Sequence, residues 1–202
     1  MIALLDYGVG NLFSLKSSFE TIGANVSVVS RPEELAGADK IILPGVGAFA
    51  DAAEKLRLSG MDKALIEQAN AGKPLLGICL GMQLLFEKSL EYGVHDGLGL
   101  IPGCVRPIAE VIPESYKIPH IGWNALNFQK ESPIFSNIQN GDHVYFVHSY
   151  YAAECEESVI ATTEYGGVLT AAVQKDNVFG CQFHPEKSGK VGLEILKAFV
   201  KL

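Results

Sequence analysis

Cys79 stands between two glycines, in Gly77-Ile78-Cys79-Leu80-Gly81, with an apolar run before it and a helical pattern after it. A strand-to-helix turn of this form lifts its central side chain clear of a sheet. It needs small residues two before and two after, because neighbouring chain passes close by. A cysteine placed so is suited to nucleophilic chemistry as its thiolate. A helix starting at Leu80 would aim its N-terminus at the sulfur and favour that form. Packing in a core is the commonest fate of a free cysteine, but paired glycines at a strand–helix join set Cys79 apart.

A thiol nucleophile needs a base. Of the five histidines, His184 lies in Gln182-Phe183-His184-Pro185-Glu186, at the end of a predicted strand. Residues two apart in extended chain point to one side, so Glu186 can orient the His184 imidazole as the acid of a triad does. Acyl transfer also needs N–H donors for an oxyanion. The backbone N–H of Leu80 is one. A second comes from around Val46 in Pro44-Gly45-Val46-Gly47, where glycines let backbone approach a ligand; an ordinary tight turn would use the same residues. Gly8-Val9-Gly10 is not a dinucleotide fingerprint, since Phe13 stands where the third glycine belongs. No histidine or carboxylate spacing suggests a metal, and no cofactor is expected.

These residues call for an α/β frame. Ile2 to Leu5, Val26 to Val29, Lys40 to Leu43 and Leu75 to Cys79 read as short strands. Between them, Leu12, Leu15, Phe19 and Ile22 form a helical stripe, and Ala48 to Leu58 and Met61 to Ala71 read as helices. Leu80 to Lys88 resumes a helical pattern. Strands separated by helices imply parallel pairing. After the glycine- and proline-rich Gly97 to Pro107, the runs become strand-like: His120 to Phe128, His143 to Tyr151, Val159 to Thr163, Leu169 to Gln174 and Val178 to Phe183. Lys175-Asp176-Asn177 reads as a hairpin turn, and Val191 to Val200 as a last helix. The expectation is a mostly parallel sheet flanked by helices, with a small antiparallel β portion added in the second half, all in one domain over residues 1–202.

Composition narrows the function classes. The 202 residues carry 16 Lys+Arg against 23 Asp+Glu, a net charge of −7. That balance lacks the basic face expected for nucleic acid and disfavours anionic membranes. Cys79, Cys104, Cys155 and Cys181 contain no Cys-x-x-Cys pair, which fits reduced thiols in a cytosol. Residues 1–6 lack the basic start of a signal peptide. The longest apolar stretch, Pro74 to Phe86, is shorter than the about 20 residues that span a bilayer. A cytoplasmic protein is expected.

Together, Pro44-Gly45-Val46-Gly47, Gly77 to Gln83 and Phe183-His184-Pro185-Glu186 resemble the class I, triad-type glutamine amidotransferase family, whose fold is flavodoxin-like. Asp6-Tyr7-Gly8-Val9-Gly10-Asn11, Pro119-His120-Ile121-Gly122-Trp123-Asn124 and His148-Ser149-Tyr150-Tyr151 are similar to one branch of it, the glutaminase subunits of imidazole glycerol phosphate synthase. The resemblance implies that Cys79, His184 and Glu186 hydrolyse L-glutamine through a thioester, with Val46 and Leu80 as oxyanion donors. It implies substrate contacts at Gly47, Gln83, Glu91, Ser149 and Tyr150, although a solvated charge would equally account for Glu91. It also implies a heterodimer in which ammonia passes to a cyclase subunit, a (β/α)8 barrel, with Asn11 and Trp123 at or near the contact. Such a barrel takes about 250 residues, so the cyclase would be a separate chain. Asp6-Tyr7-Gly8 with His120 to Trp123 disfavours other amidotransferase branches, such as those of anthranilate or pyridoxal phosphate synthesis. A non-catalytic binding module on the same fold is the rival of another class.

Overall fold

The computed structural model describes all 202 residues. In chain order the elements are β1 (Ile2–Leu5), α1 (Leu12–Thr21), β2 (Val26–Val29), β3 (Lys40–Leu43), α2 (Phe49–Ser59), α3 (Met61–Asn70), β4 (Leu75–Ile78) and α4 (Leu80–Gln83). There follow β5 (Phe86–Ser89), β6 (His95–Asp96), β7 (Ile101–Pro107), β8 (His120–Ala125), β9 (Asn127–Phe128), β10 (His143–His148), β11 (Tyr150–Ala153), β12 (Val159–Glu164), β13 (Val168–Lys175), β14 (Val178–Cys181) and α5 (Gly189–Val200).

One eight-stranded sheet, in the order β2-β1-β3-β4-β14-β13-β12-β9, runs through the molecule. Its strands pair in parallel from β2 through to β14 and antiparallel beyond. Alternate residues of the parallel strands feed two separate cores. Ala3, Leu5, Ile41 and Leu43 face α2 and α3, while Ile2, Leu4 and Ile42 face α1 and α5. Both faces are covered, so these strands are apolar without alternation. A four-stranded sheet (β11-β7-β5-β6) and the antiparallel pair β10–β8 complete the second half. The expected fold class is therefore found. No helix is long and apolar enough to cross a membrane.

Several local expectations fail. The helix expected over Leu80 to Lys88 stops at Gln83, and Phe86–Ser89 is a strand. The carbonyls of Leu84, Leu85 and Phe86 are taken by N–H groups of Leu98, Gly99, Leu100 and Ile101. Because Leu84, Leu85 and Phe86 are buried on every side, their pattern has no polar face to tell helix from strand. The run His120 to Phe128 divides at Leu126, between strands of different sheets, and His143 to Tyr151 divides at Ser149. The hairpin at Asp176-Asn177 is present as expected, between β13 and β14.

Candidate active site

The three glycines around the elbow are required by close backbone contact. A Cβ on Gly77 would lie 2.6 Å from the Gly81 carbonyl oxygen, one on Gly45 2.7 Å from the Gly81 nitrogen, and one on Gly81 1.9 Å from the Leu43 oxygen. Real Cβ atoms do not approach so closely, so β3, β4, α4 and the 44–47 loop can meet only with hydrogen at these positions. Gly81→Ala is expected to cost about 3 kcal/mol or more, measurable as a lowered urea midpoint.

Cys79 sits at the tip with φ +56°, a left-handed conformation costing a non-glycine residue about 1–3 kcal/mol. It is held there by its N–H, which donates to the Cys181 carbonyl at 2.7 Å, and by its carbonyl, which accepts from Gln83. The helix expected to favour the thiolate is a single turn.

His184 is buried and lines the same cavity as Cys79. The strand ends at Cys181, so His184 is not on it; residues 185–187 form a 3-10 turn instead. That turn still brings Glu186 Oε1 to 2.8 Å from His184 Nδ1. Glu186 is enclosed, and its second oxygen, Oε2, has no hydrogen-bond partner. The His184 backbone is pinned by its N–H to the Tyr145 carbonyl and by Ser188 Oγ donating to its own carbonyl. Burial disfavours its imidazolium. The hydrogen bonds and negative charges of Cys79 and Glu186 outweigh that and raise its pKa to about 10, as carboxylate and thiolate partners should.

A second histidine, His148, lines the same cavity. Burial pushes it down to about 4, against the Tyr150 carbonyl that accepts from its Nδ1 at 2.8 Å. His148 is thus tied to backbone, which leaves His184 as the imidazole suited to act as a base. His148 Nε2 lies 3.0 Å from His120 Nδ1, and His120 Nε2 lies 2.8 Å from Asn124 Oδ1. Nothing local in the sequence marks His148 and His120, 28 positions apart, as neighbours.

The cavity holds about 630 Å³ and is lined by Val46, Gly47, Cys79, Leu80, Gln83, Glu91, Ser149, Tyr150 and His184. Nine expected positions from five separate stretches of chain thus converge, with Glu186 behind His184. Tyr92, His148 and Lys187 join them unforeseen. The Val46 N–H makes no hydrogen bond within the chain, and the Leu80 N–H opens α4 with no acceptor in the helix. The buried Tyr7 hydroxyl donates to the Pro44 carbonyl at 2.7 Å, fixing the 44–47 loop from the first loop. Gln83 spends its amide donors on the Tyr150 carbonyl (3.3 Å) and Gln182 Oε1 (3.0 Å), leaving its own oxygen as an acceptor.

Glu91 is more than a solvated charge. Its Oε2 accepts from the Phe49 N–H at 2.6 Å, capping α2, where Ala48 supplies no side-chain cap. Glu91→Ala is expected to cost about 1 kcal/mol of stability, read by chemical denaturation. Asn11 and Trp123 do not line the cavity. Asn11 caps α1 through Oδ1 and Ser14 N, and Trp123 is 53% exposed with its ring edge-on to Tyr145. Ile121, two residues before Trp123 on β8 and so on the same face, is also exposed.

A cysteine on a strained elbow, a histidine whose pKa is raised by that cysteine and by a carboxylate, and unbonded backbone N–H groups of cavity-lining residues make up a site suited to acyl transfer through a thioester. The family described as "Glutamine amidotransferase class-I" matches residues 3–202, and the chain belongs to it. Its relatives narrow the branch. It is 47% identical over 203 residues to the imidazole glycerol phosphate synthase subunit HisH of Syntrophotalea carbinolica, covering 98% of each chain. It is 48% identical over 204 residues to the subunit of the same name from Wolinella succinogenes, covering 100% of each. Among solved structures, PurLQS from Thermotoga maritima superposes with a TM-score of 0.78 at 21% identity, covering 99% of this chain and 97% of that one, a likeness of fold.

Proposed function

We propose that this chain is the glutaminase subunit of an imidazole glycerol phosphate synthase, a single amidotransferase domain over residues 1–202 working in the cytoplasm. The observation that carries this reading is the convergence of Cys79 and His184, backed by Glu186, on a cavity that also offers Gln83 and Glu91. His184 takes the Cys79 proton, and the sulfur attacks the side-chain amide carbon of L-glutamine. The Leu80 and Val46 N–H groups receive the oxyanion. His184 then protonates the leaving ammonia, and water, activated by the same imidazole, cleaves the thioester to glutamate. The free oxygens of Gln83 and Glu91 suit the substrate α-ammonium, while Gly47, Ser149 and Tyr150 border it.

Ammonia loses its nucleophilicity on protonation near neutral pH, so productive use needs a closed path to an acceptor. We place that acceptor in a cyclase subunit, a (β/α)8 barrel, forming a heterodimer through the surface bearing Asn11 and Trp123. Hydrolysis without an acceptor wastes glutamine. Glutaminase turnover is therefore expected to be low for the isolated chain and to rise at least about tenfold, about 1.4 kcal/mol of barrier, when the cyclase carries its nucleotide. A steady-state assay of glutamate release tests this; equal rates alone and in the loaded complex would contradict the coupling.

A further inference from the structure

Gln182 is completely buried two residues before His184 and belongs to none of the roles assigned above. Its side-chain amide bridges two parts of the site. Oε1 accepts from Gln83 Nε2 at 3.0 Å, and Nε2 lies 3.8 Å from Cys79 Sγ. Turned over, the amide would set an oxygen against the sulfur instead, and its neighbours prevent this. Gln83 Nε2 also donates to the Tyr150 carbonyl at 3.3 Å, and that carbonyl accepts from His148 Nδ1 at 2.8 Å. Reversing Gln182 would force Gln83 to reverse, bringing the Gln83 oxygen against a backbone carbonyl. Two facing acceptors in a buried place are strongly unfavourable. A chain of hydrogen bonds, anchored on one carbonyl, therefore aims an N–H of Gln182 at the sulfur.

We infer that Gln182 is a catalytic residue that donates its Nε2–H to the Cys79 sulfur and stabilises the thiolate. The inference rests on Cys79 being the nucleophile. When the S–H bond breaks, the proton goes to His184, the electron pair stays on sulfur, and Gln182 keeps its own proton. A further polar group facing the sulfur, the Val147 carbonyl at 4.0 Å, can only accept and gives a thiolate no support. With α4 a single turn, Gln182 and His184 are the side chains that offset it. Once the thioester forms, the sulfur is neutral and the contact weakens, so the donor acts selectively on the charged states.

Gln182→Glu keeps the shape and the acceptor for Gln83 but turns a carboxylate oxygen toward the sulfur. Gln182→Leu removes the donor without adding charge. The readout is alkylation of Cys79 by iodoacetamide as a function of pH, followed by mass spectrometry, in variants whose unfolding curves show a native fold. At pH 7 both variants are expected to react about ten- to hundredfold more slowly than the parent, the factor carried by one hydrogen bond to a charged group. All three should reach the same plateau at high pH. For Gln182→Glu, which keeps the contact to Gln83, glutaminase kcat should fall by a similar factor with KM within about twofold, a split that a purely structural role would not produce. Should Gln182→Leu fail to fold, Gln182→Glu carries the test. A profile superimposable on the parent's overturns the role of Gln182 while leaving the nucleophile in place; a parent whose Cys79 is not alkylated at all overturns both.

Discussion

Cys79→Ala is expected to lose glutaminase activity by on the order of 100,000-fold or more, since no other group in the cavity can form the thioester. The fold should survive. Cys79 is buried, but its alanine form deletes only the sulfur, and the positive φ is held by backbone hydrogen bonds to Cys181 and Gln83 that do not involve the side chain. Stability should stay within about 1 kcal/mol of the parent. The complex with a cyclase should still make product when ammonium salt replaces glutamine, which separates a dead glutaminase from a lost partner. A binding module would show no change in any activity. Alanine at Cys104 or Cys155 is expected to leave turnover intact, because burial pushes both thiols up, Cys155 to about 11, and neither lines the cavity.

Glu186→Gln should be the next most damaging change, and the reason lies in the unpartnered Oε2. An amide there has two orientations. Keeping an oxygen on His184 Nδ1 leaves an NH2 group buried with no acceptor, at a cost of about 1–3 kcal/mol. Reversing it gives Nδ1 a donor, which moves the imidazole proton to the face turned toward Cys79 and removes the base. Either way the charge that supports the imidazolium is gone. A comparable exchange in a serine-protease triad costs about 10,000-fold; a loss of about 1,000- to 10,000-fold in kcat is expected here. Glu186 does not line the cavity, so KM should stay within about twofold. Steady-state kinetics resolve the two parameters; a rise in KM with kcat kept would place Glu186 on the substrate instead.

Much of this site is visible in the sequence because its constraints are local. The glycines at 77 and 81 announce the elbow, and no larger residue fits there because a Cβ would lie 2.6 Å and 1.9 Å from backbone oxygens. His184 and Glu186 are two residues apart, so almost any tight conformation brings them together, and their contact forms although the chain there is a turn and not a strand. What escaped is decided by distant pairing. Ile101–Pro107 contains Pro102 and Gly103 yet is a strand, because β5 and β11 flank it and the chain at Ala153 and Glu154 leaves no room for a Cβ at 103. His120 and Gln182 meet His148 and Gln83, partners 28 and 99 positions away that no spacing reveals. Glu91 reaches Phe49 across 42 positions, which no reading of residues 88–94 alone would suggest.

The central claim is that Cys79 is a nucleophile in a site shaped for glutamine. It is tested most directly with 6-diazo-5-oxo-L-norleucine, a glutamine-like electrophile, followed by intact mass and peptide mapping. One equivalent of label is expected, located on Cys79, slowed by excess L-glutamine and absent from Cys79→Ala. Label on a different residue, or labelling of Cys79 at a rate indifferent to glutamine, would contradict it.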